Sequence, residues 1–527
     1  MKIDNIVIVG GGSSGWMTAA TLVSKFPDKS ITLVESPDIK TIGVGESTIA
    51  GINNWMQLIG IDDKDFMPGC DAVYKLSIAF ENFYRKDSGR FHYPFGEPIP
   101  TTPHDQPLNT WFIKKILYPD TPVSDYADCI HPSMALINQN KLTSNEDGKF
   151  PRFNFPTDHS YGFDATKFGL WLRDNICLPS SNFTHLKRGV TDASVNENGL
   201  EHIVLSDTEE LLTADLFIDC TGFRSLLLEW AMGETFIPYD HIIPNNKAWV
   251  THIPFTDKEK ELVLYTLCTA IDNGWTWEIP LWSSIGSGYV YSDRFITEAN
   301  ALLEFQQQLT KKGYKNVDKL NYRSVPMRIG RHKRAWVKNV CSIGLSLGFI
   351  EPLESNALYT THENLYTLTR VLERGYTSQW DINTFNAKAE NDFDTFAEFV
   401  AMHYSLGHRD DTEYWREIKN RNWADLLVPM MRKGFNSAFN EKFRDGYWLD
   451  EDRGGLHYIA TGLNYFPASI TNIQYESATH DIINYVEKRF TSHIEDLNKR
   501  KEYWNSLAES CPSHYQYLKD NIYHDSE

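Results

Sequence analysis

The stretch that decides the fold is Ile3-Asp4-Asn5-Ile6-Val7-Ile8-Val9-Gly10-Gly11-Gly12-Ser13-Ser14-Gly15. Its first seven residues form a short, mainly apolar run of the kind that makes a buried parallel strand. Residues 16–25 then read as a helix ended by Pro27 and Asp28, and residues 30–35 as a second strand. Parallel strands need a crossover of this kind between them. In the connecting loop, Gly10 permits a tight turn, Gly12 lets a pyrophosphate approach the backbone, and Gly15 allows close helix–strand packing. Ser13 and Ser14 complete the loop, and the N-terminus of the helix that follows offers its free N–H groups to the phosphates. Glu35 closes the second strand, where an acid is needed to accept from ribose hydroxyls. The unit is therefore a dinucleotide-binding one.

Two further segments favour FAD over NAD. Gly43-Val44-Gly45-Glu46 is a second glycine-rich turn, placed where backbone could approach a flavin. A strand over 214–220 runs into Asp219-Cys220-Thr221-Gly222 and offers an acid and a glycine that can hold a ribityl chain. Residues 72–83 alternate, with Tyr74, Leu76, Ile78 and Phe80 on one face and Lys75, Ser77, Ala79 and Glu81 on the other. Many short strand candidates fill 90–300, and from about 358 the pattern is mainly helical, as over 362–374 and 480–504. The expected class is α/β: an FAD/NAD(P)-binding Rossmann-like fold with an inserted β-sheet and a mainly helical C-terminal portion. The expected division is 1–357 for the FAD-binding domain with its inserted sheet, and 358–527 for a helical substrate-binding region.

Composition narrows the function classes. The 51 basic and 70 acidic residues leave a net charge of −19, which opposes attraction to nucleic acid or an anionic membrane face. No apolar run approaches bilayer length, and the first strand begins too early for a secretory leader. The seven cysteines are scattered without a CxxC pair, which argues against a zinc site and suggests a reducing cytoplasm.

Three further groups carry chemistry or packing. In Gly274-Trp-Thr-Trp-Glu-Ile-Pro280, Trp275, Trp277 and Ile279 project to one side of an extended segment. That wall is either a core strand or a screen beside a flavin. In Gly348-Phe-Ile-Glu-Pro-Leu-Glu-Ser-Asn-Ala357, Glu354 is the better candidate for a buried base than Glu351, since it lies in an apolar segment before a polar turn. Lys75 is flanked by Tyr74 and Leu76 rather than by charge. Gly344-Leu-Ser-Leu-Gly348 matches a hydrolase nucleophile elbow, a reading set aside because the chain already has a dinucleotide fold.

Taken together, these residues resemble the flavin-dependent halogenases of the tryptophan-halogenase family. The resemblance rests on the glycine loop, Gly-Val-Gly-Glu-Ser-Thr at 43–48, and Tyr-Lys-Leu-Ser-Ile-Ala-Phe-Glu-Asn at 74–82. It continues through the Trp-x-Trp-x-Ile-Pro block at 275–280, Phe-x-x-Pro-Leu-Glu-Ser at 349–355 and His403-Tyr404 to Trp415. It implies that reduced FAD and dioxygen oxidise a halide to hypohalous acid. The acid would cross a tunnel to Lys75 and halogenate an electron-rich indole-like or phenolic ring, with Glu354 polarising the electrophile or taking the ring proton. The resemblance implies that Gly348 joins the cofactor residues, that Ser355, Asn356 and Ala357 bind halide, and that Pro280 completes the flavin-side wall. Phe95, Phe349 and Pro352 would lie on the substrate side, with a packing role for Phe95 equally open.

The expected partners are a small aromatic substrate, a separate flavin reductase, since no second dinucleotide fingerprint is present, and a second copy in a homodimer. Two departures stand out. The family commonly has Thr-Gly where this chain has Asn356-Ala357, which bears on chloride, bromide or iodide preference, and Ala50 replaces a usual proline. The alternative readings are a flavin-dependent aromatic hydroxylase and a non-catalytic FAD-binding redox sensor.

Overall fold

The computed structural model describes residues 1–39, 45–100, 107–427, 455–465 and 480–524. A six-stranded sheet carries the glycine loop, in the order 336–337, 340–342, 216–219, 5–9, 30–34, 183–186. All neighbours pair in parallel except the first two strands, which form an antiparallel edge. Four of the five residues of Asn5–Val9 are buried, and the helix Ser13–Lys25 packs on this layer beside Ala165–Leu172 and Ala357–Glu373. Helices covering a parallel sheet make its strands uniformly apolar, which is why the opening run does not alternate.

The crossover is tight enough to exclude side chains at two points. Gly10 has φ +115°, and a Cβ there would lie 2.2 Å from the Cys220 carbonyl oxygen; at Gly15 it would lie 1.9 Å from the Gly10 oxygen. At Gly12, by contrast, a Cβ would meet nothing within 4 Å. The loop is thus packed against the sheet at its two ends and open in its middle.

A second, seven-stranded sheet runs 323–326, 247–253, 285–291, 274–280, 265–271, 77–81, 90–94. A three-stranded sheet joins Gly45–Ser47, Ser160–Asp164 and Val73–Lys75. Here the structure corrects the reading of 72–83 as one alternating strand. Val73–Lys75 belongs to the small sheet and Ser77–Glu81 to the large one. Leu76 is the joint: its N–H donates to Leu264 and its carbonyl accepts from Phe95. Both faces of the segment are buried, so the alternation does not separate core from solvent, and Lys75 stands where two sheets meet.

Beyond residue 357 the regular elements described are helices, including Ala357–Glu373, Gln379–Ser405 and His480–Glu509. Their apolar faces join one hydrophobic cluster reaching from Ile3 to Tyr523. Among the described residues, no helix is long and apolar enough to cross a membrane. Because Gly10 combines a glycine-only φ with backbone contact, Gly10→Ala should lower unfolding stability by about 2–4 kcal/mol. Denaturant titration of the two proteins measures it; equal midpoints would contradict the packing described.

Candidate active site

A cavity of about 620 Å³ opens between the two large sheets. Gly10, Gly12, Ser13, Ser14, Glu35, Gly45, Glu46 and Gly222 all line it, as does Arg224. The Glu35 carboxylate is fixed on one side by His185 Nε2 at 2.9 Å, which leaves it turned to the cavity rim beside Gly11. Burial pushes the Glu46 carboxyl up to about 7. Open backbone at Gly12, a helix N-terminus and Arg188 at the rim suit a pyrophosphate-bearing ligand, so these residues fit an FAD. Neither Arg188 nor His185 stood out in the sequence, where each is a lone residue of a short strand or turn.

Other expected cofactor residues lie elsewhere. The Asp219 carboxylate accepts from Thr221 N–H and hydroxyl and from the Leu227 and Leu228 N–H groups. It organises the turn after its strand, with its four acceptor positions consumed there, instead of facing the cavity. Gly348 packs its backbone against Gly330 and Arg331, and Gly15 against Gly10; neither lines the cavity. Gly43 and Val44 lie outside the described residues. Ser346, the centre of the elbow-like motif, is buried and hydrogen-bonded to the Asp219 and Ile343 carbonyls.

The far wall of the cavity is built by Trp277 and Ile279 from the strand Gly274–Pro280 and by the segment 352–358. Trp277 lies over Gly288, where a Cβ would come within 2.2 Å of its ring. Trp275 sits deeper, its ring 6.0 Å from that of Trp277, and Pro280 packs its carbonyl against Gly162; neither faces the cavity. Phe349 and Pro352, expected beside substrate, line this cavity instead. The cause is a tight turn at Pro352–Glu354 followed by Ser355 at φ +57°. That reversal turns Pro352, Ser355 and Ala357 toward the cavity while Glu354 points away from it.

Behind that wall lies Lys75. Its Nζ donates to the Thr48 carbonyl at 2.8 Å and to Ser355 Oγ at 3.0 Å, both neutral acceptors. Ser355 Oγ donates in turn to Ser47 Oγ at 3.1 Å, and Ser47 Oγ lies 2.6 Å from Thr266 Oγ1. Ser47, Thr266 and Ser355 all line the cavity, so a single hydroxyl links the lysine to it. Lys75 is 2% exposed, and desolvation lowers its pKa to about 7, with Cys268 and Glu354 opposing the shift.

Glu354 is equally buried, and burial raises its pKa against the opposing pull of His403 and Lys75. His403 Nε2 stands 2.8 Å from Glu354 Oε1, but too bent for a good hydrogen bond, so neither carboxylate oxygen has an aligned donor. Glu351, the companion acid, is part of a different group: it accepts from the Tyr404 hydroxyl and from Asn245 Nδ2 at 2.9 Å. Burial also brings Glu351 to about 7.

Phe95 covers Lys75, with Nζ 5.0 Å from its ring centroid. The backbone bond from Phe95 N–H to the Leu76 carbonyl sets that register. Tyr93, Phe399 and Tyr458 extend the aromatic surface, Tyr93 and Tyr458 stacking at 5.9 Å, and Phe399 reaching His403 at 5.8 Å. Asn356 is buried with its Oδ1 unpartnered, and Ala357 begins the helix Ala357–Glu373. The arrangement joins a glycine-lined cavity to a buried amine, a buried carboxyl and an aromatic surface. Among the described residues no cluster of His, Cys, Asp and Glu has the arrangement of a metal site.

The sequence profile of the tryptophan halogenase family matches residues 5–470. Tryptophan 6-halogenase ThaL of Streptomyces albogriseolus is 30% identical, over 98% of both chains. Tryptophan 7-halogenase RebH of Lentzea aerocolonigenes is likewise 30% identical over 98% of both. Among solved structures, VirX1 in its apo form is 36% identical with a TM-score of 0.87, covering 99% of each chain. Tryptophan 6-halogenase SttH of Streptomyces toxytricini is 27% identical with a TM-score of 0.80, covering 98% of this chain and 99% of that one. With the match spanning most of the chain, this protein is an enzyme of the tryptophan halogenase family, a flavin-dependent halogenase.

Proposed function

We propose that this enzyme halogenates an electron-rich, indole-like or phenolic ring with a hypohalous acid delivered to Lys75. The observation that carries this reading is the buried, weakly basic amine of Lys75, one hydroxyl away from the cavity and covered by Phe95. When bound there, reduced FAD supplies with dioxygen the oxidising equivalent that converts halide to hypohalous acid. Gly10, Gly12, Ser13, Ser14, Glu35, Gly45 and Glu46 would hold the cofactor. A halide would sit near Ser355 and Ala357, where the first turn of Ala357–Glu373 offers N–H groups without intrahelical acceptors.

Trp277 and Ile279 form an apolar screen at this end of the cavity, while Phe95 faces the opposite side of the wall. An organic ring bound at Phe95 would thereby be kept from the cavity, whereas a molecule as small as hypohalous acid would have to pass only the Ser355 hydroxyl that Lys75 touches. Lys75 takes the halogen on its Nζ, releasing water, or presents the acid by hydrogen bond. As the halogen passes from Nζ to the ring carbon, Glu354, which burial favours in its protonated form, gives its proton to Nζ and so returns the amine, and the Glu354 carboxylate then takes the ring proton. His403 holds Glu354 in place from the other side. A separate flavin reductase supplies the reduced cofactor.

Lys75→Ala should abolish ring halogenation while the consumption of reduced flavin and oxygen continues. Mass spectrometry of an indole and phenol panel with chloride, bromide and iodide reads the first; oxygen uptake reads the second. Halogenated product from the variant would remove the assigned role. Lys75→Arg should be equally inactive in halogenation, because a guanidinium keeps its proton at all working pH values.

The pH dependence follows from the depressed lysine. Below about 7 the amine carries a proton and has no lone pair for the halogen; above it, the lone pair is free. Single-turnover halogenation should therefore rise as pH increases through about 7. A rate flat or falling across that interval would contradict a neutral-amine relay.

A further inference from the structure

We propose that Cys268 is an internal oxidation site, a thiol that the enzyme's own hypohalous acid oxidises when no organic ring is available to take the halogen. The inference rests on the halogenase reading above. It concerns a side chain to which that mechanism gives no task.

Cys268 lies on the strand Tyr265–Ile271, two residues beyond Thr266, so both side chains project from the same face. Thr266 belongs to the hydroxyl chain that ends at Lys75. The Cys268 Sγ rests 3.7 Å from the Leu353 carbonyl, on the residue just before Glu354. The thiol thus stands beside the same turn that separates the cavity from the lysine. It is close enough for Lys75 and Glu354 to act on its proton affinity, while burial raises that affinity.

A second observation points to a small polar guest here. Glu354, close enough to Cys268 to act on its proton affinity, is 1% exposed, and while its Oε1 faces His403 Nε2 at 2.8 Å, its Oε2 has no hydrogen-bond partner. Buried polar atoms of this kind are normally satisfied by a bound molecule or water. Hypohalous acid is of that size and polarity. A thiol meeting it reacts as R–SH + HOX → R–SX + H₂O, then R–SX + H₂O → R–SOH + H⁺ + X⁻. Sulfur loses two electrons and the halogen becomes halide; a second equivalent carries the sulfur to sulfinic acid. Burial holds Cys268 as the neutral thiol, which is less reactive than a thiolate. Ring halogenation therefore competes well when substrate is present, and thiol oxidation becomes visible when it is not.

The remaining cysteines locate the oxidant. Cys511 is the most accessible of the seven, whereas Cys268 is 1% exposed. Oxidant escaping to solvent would reach Cys511 first; oxidant retained behind the wall would reach Cys268 first.

The test uses the full chain with a flavin reductase, NADH, FAD, bromide and catalase, with and without an indole that the enzyme brominates. Peptide mass spectrometry then follows all seven thiols. The expected result is bromide-dependent addition of one or two oxygens to Cys268 ahead of Cys511, reduced at least fivefold by the indole. Cys268→Ser and Cys268→Ala should complete several-fold more turnovers before inactivation. Brominated indole alongside unmodified Cys268 in the substrate-free arm, or Cys511 oxidised first, overturns this inference alone. No halogenated product in any arm removes the halogenase reading and this inference together.

Discussion

The hydrogen bond from Lys75 Nζ to Ser355 Oγ is the contact on which the organisation of the site depends. It fastens a strand of the small sheet to the turn that forms the cavity wall. For it to exist, the chain must break at Leu76 between two sheets, and Ser355 must adopt φ +57°. A non-glycine residue in that region costs of order 1 kcal/mol or more and persists where the surroundings over-determine it. Here they do: Ser355 is held by Lys75 on one side and Ser47 on the other.

Burial does the chemical tuning. An amine and a carboxyl placed together in water would simply pair as ions. Removed from water and kept apart, each is shifted toward its neutral form, Lys75 downward and Glu354 upward, while their mutual attraction resists both changes. The Thr48 carbonyl and Ser355 hydroxyl hold the amine without supplying a charge that would keep its proton on. The same desolvation acts on Cys268 and Glu351, so a cost in stability is concentrated around one turn of chain.

Much of this was legible in the residues before their arrangement was known. The glycine loop dictated the first crossover because only glycine tolerates the backbone approach at Gly10. The Trp block was legible as bulky apolar groups on one side of a strand, of which Trp277 and Ile279 line the cavity while Trp275 and Pro280 do not. What escaped the reading did so for physical reasons. The alternation over 72–83 gave no sign of the break at Leu76, since both faces are buried. Asp219 has the position of a cofactor ligand, but the turn that follows it takes all its hydrogen bonds. Phe349 and Pro352 were set on the substrate side because a linear motif does not show the reversal at Ser355. Ser47, the neighbouring pair Thr266 and Cys268, and His403 reach the site from two strands and a helix far apart in the chain, so no local spacing brings the three together.

The central claim is that the oxidant is made on one side of this wall and used on the other, by way of Lys75. Its most direct measurement separates the two events in time. The enzyme is supplied with reduced FAD, oxygen and bromide without an aromatic substrate, then freed of flavin and halide by rapid desalting, and only afterwards given an indole. Brominated product in the wild-type protein, with none from Lys75→Ala, is the predicted result. Product that forms only while flavin is present would contradict a halogen carried on Nζ, and product equally abundant in the variant would contradict the account.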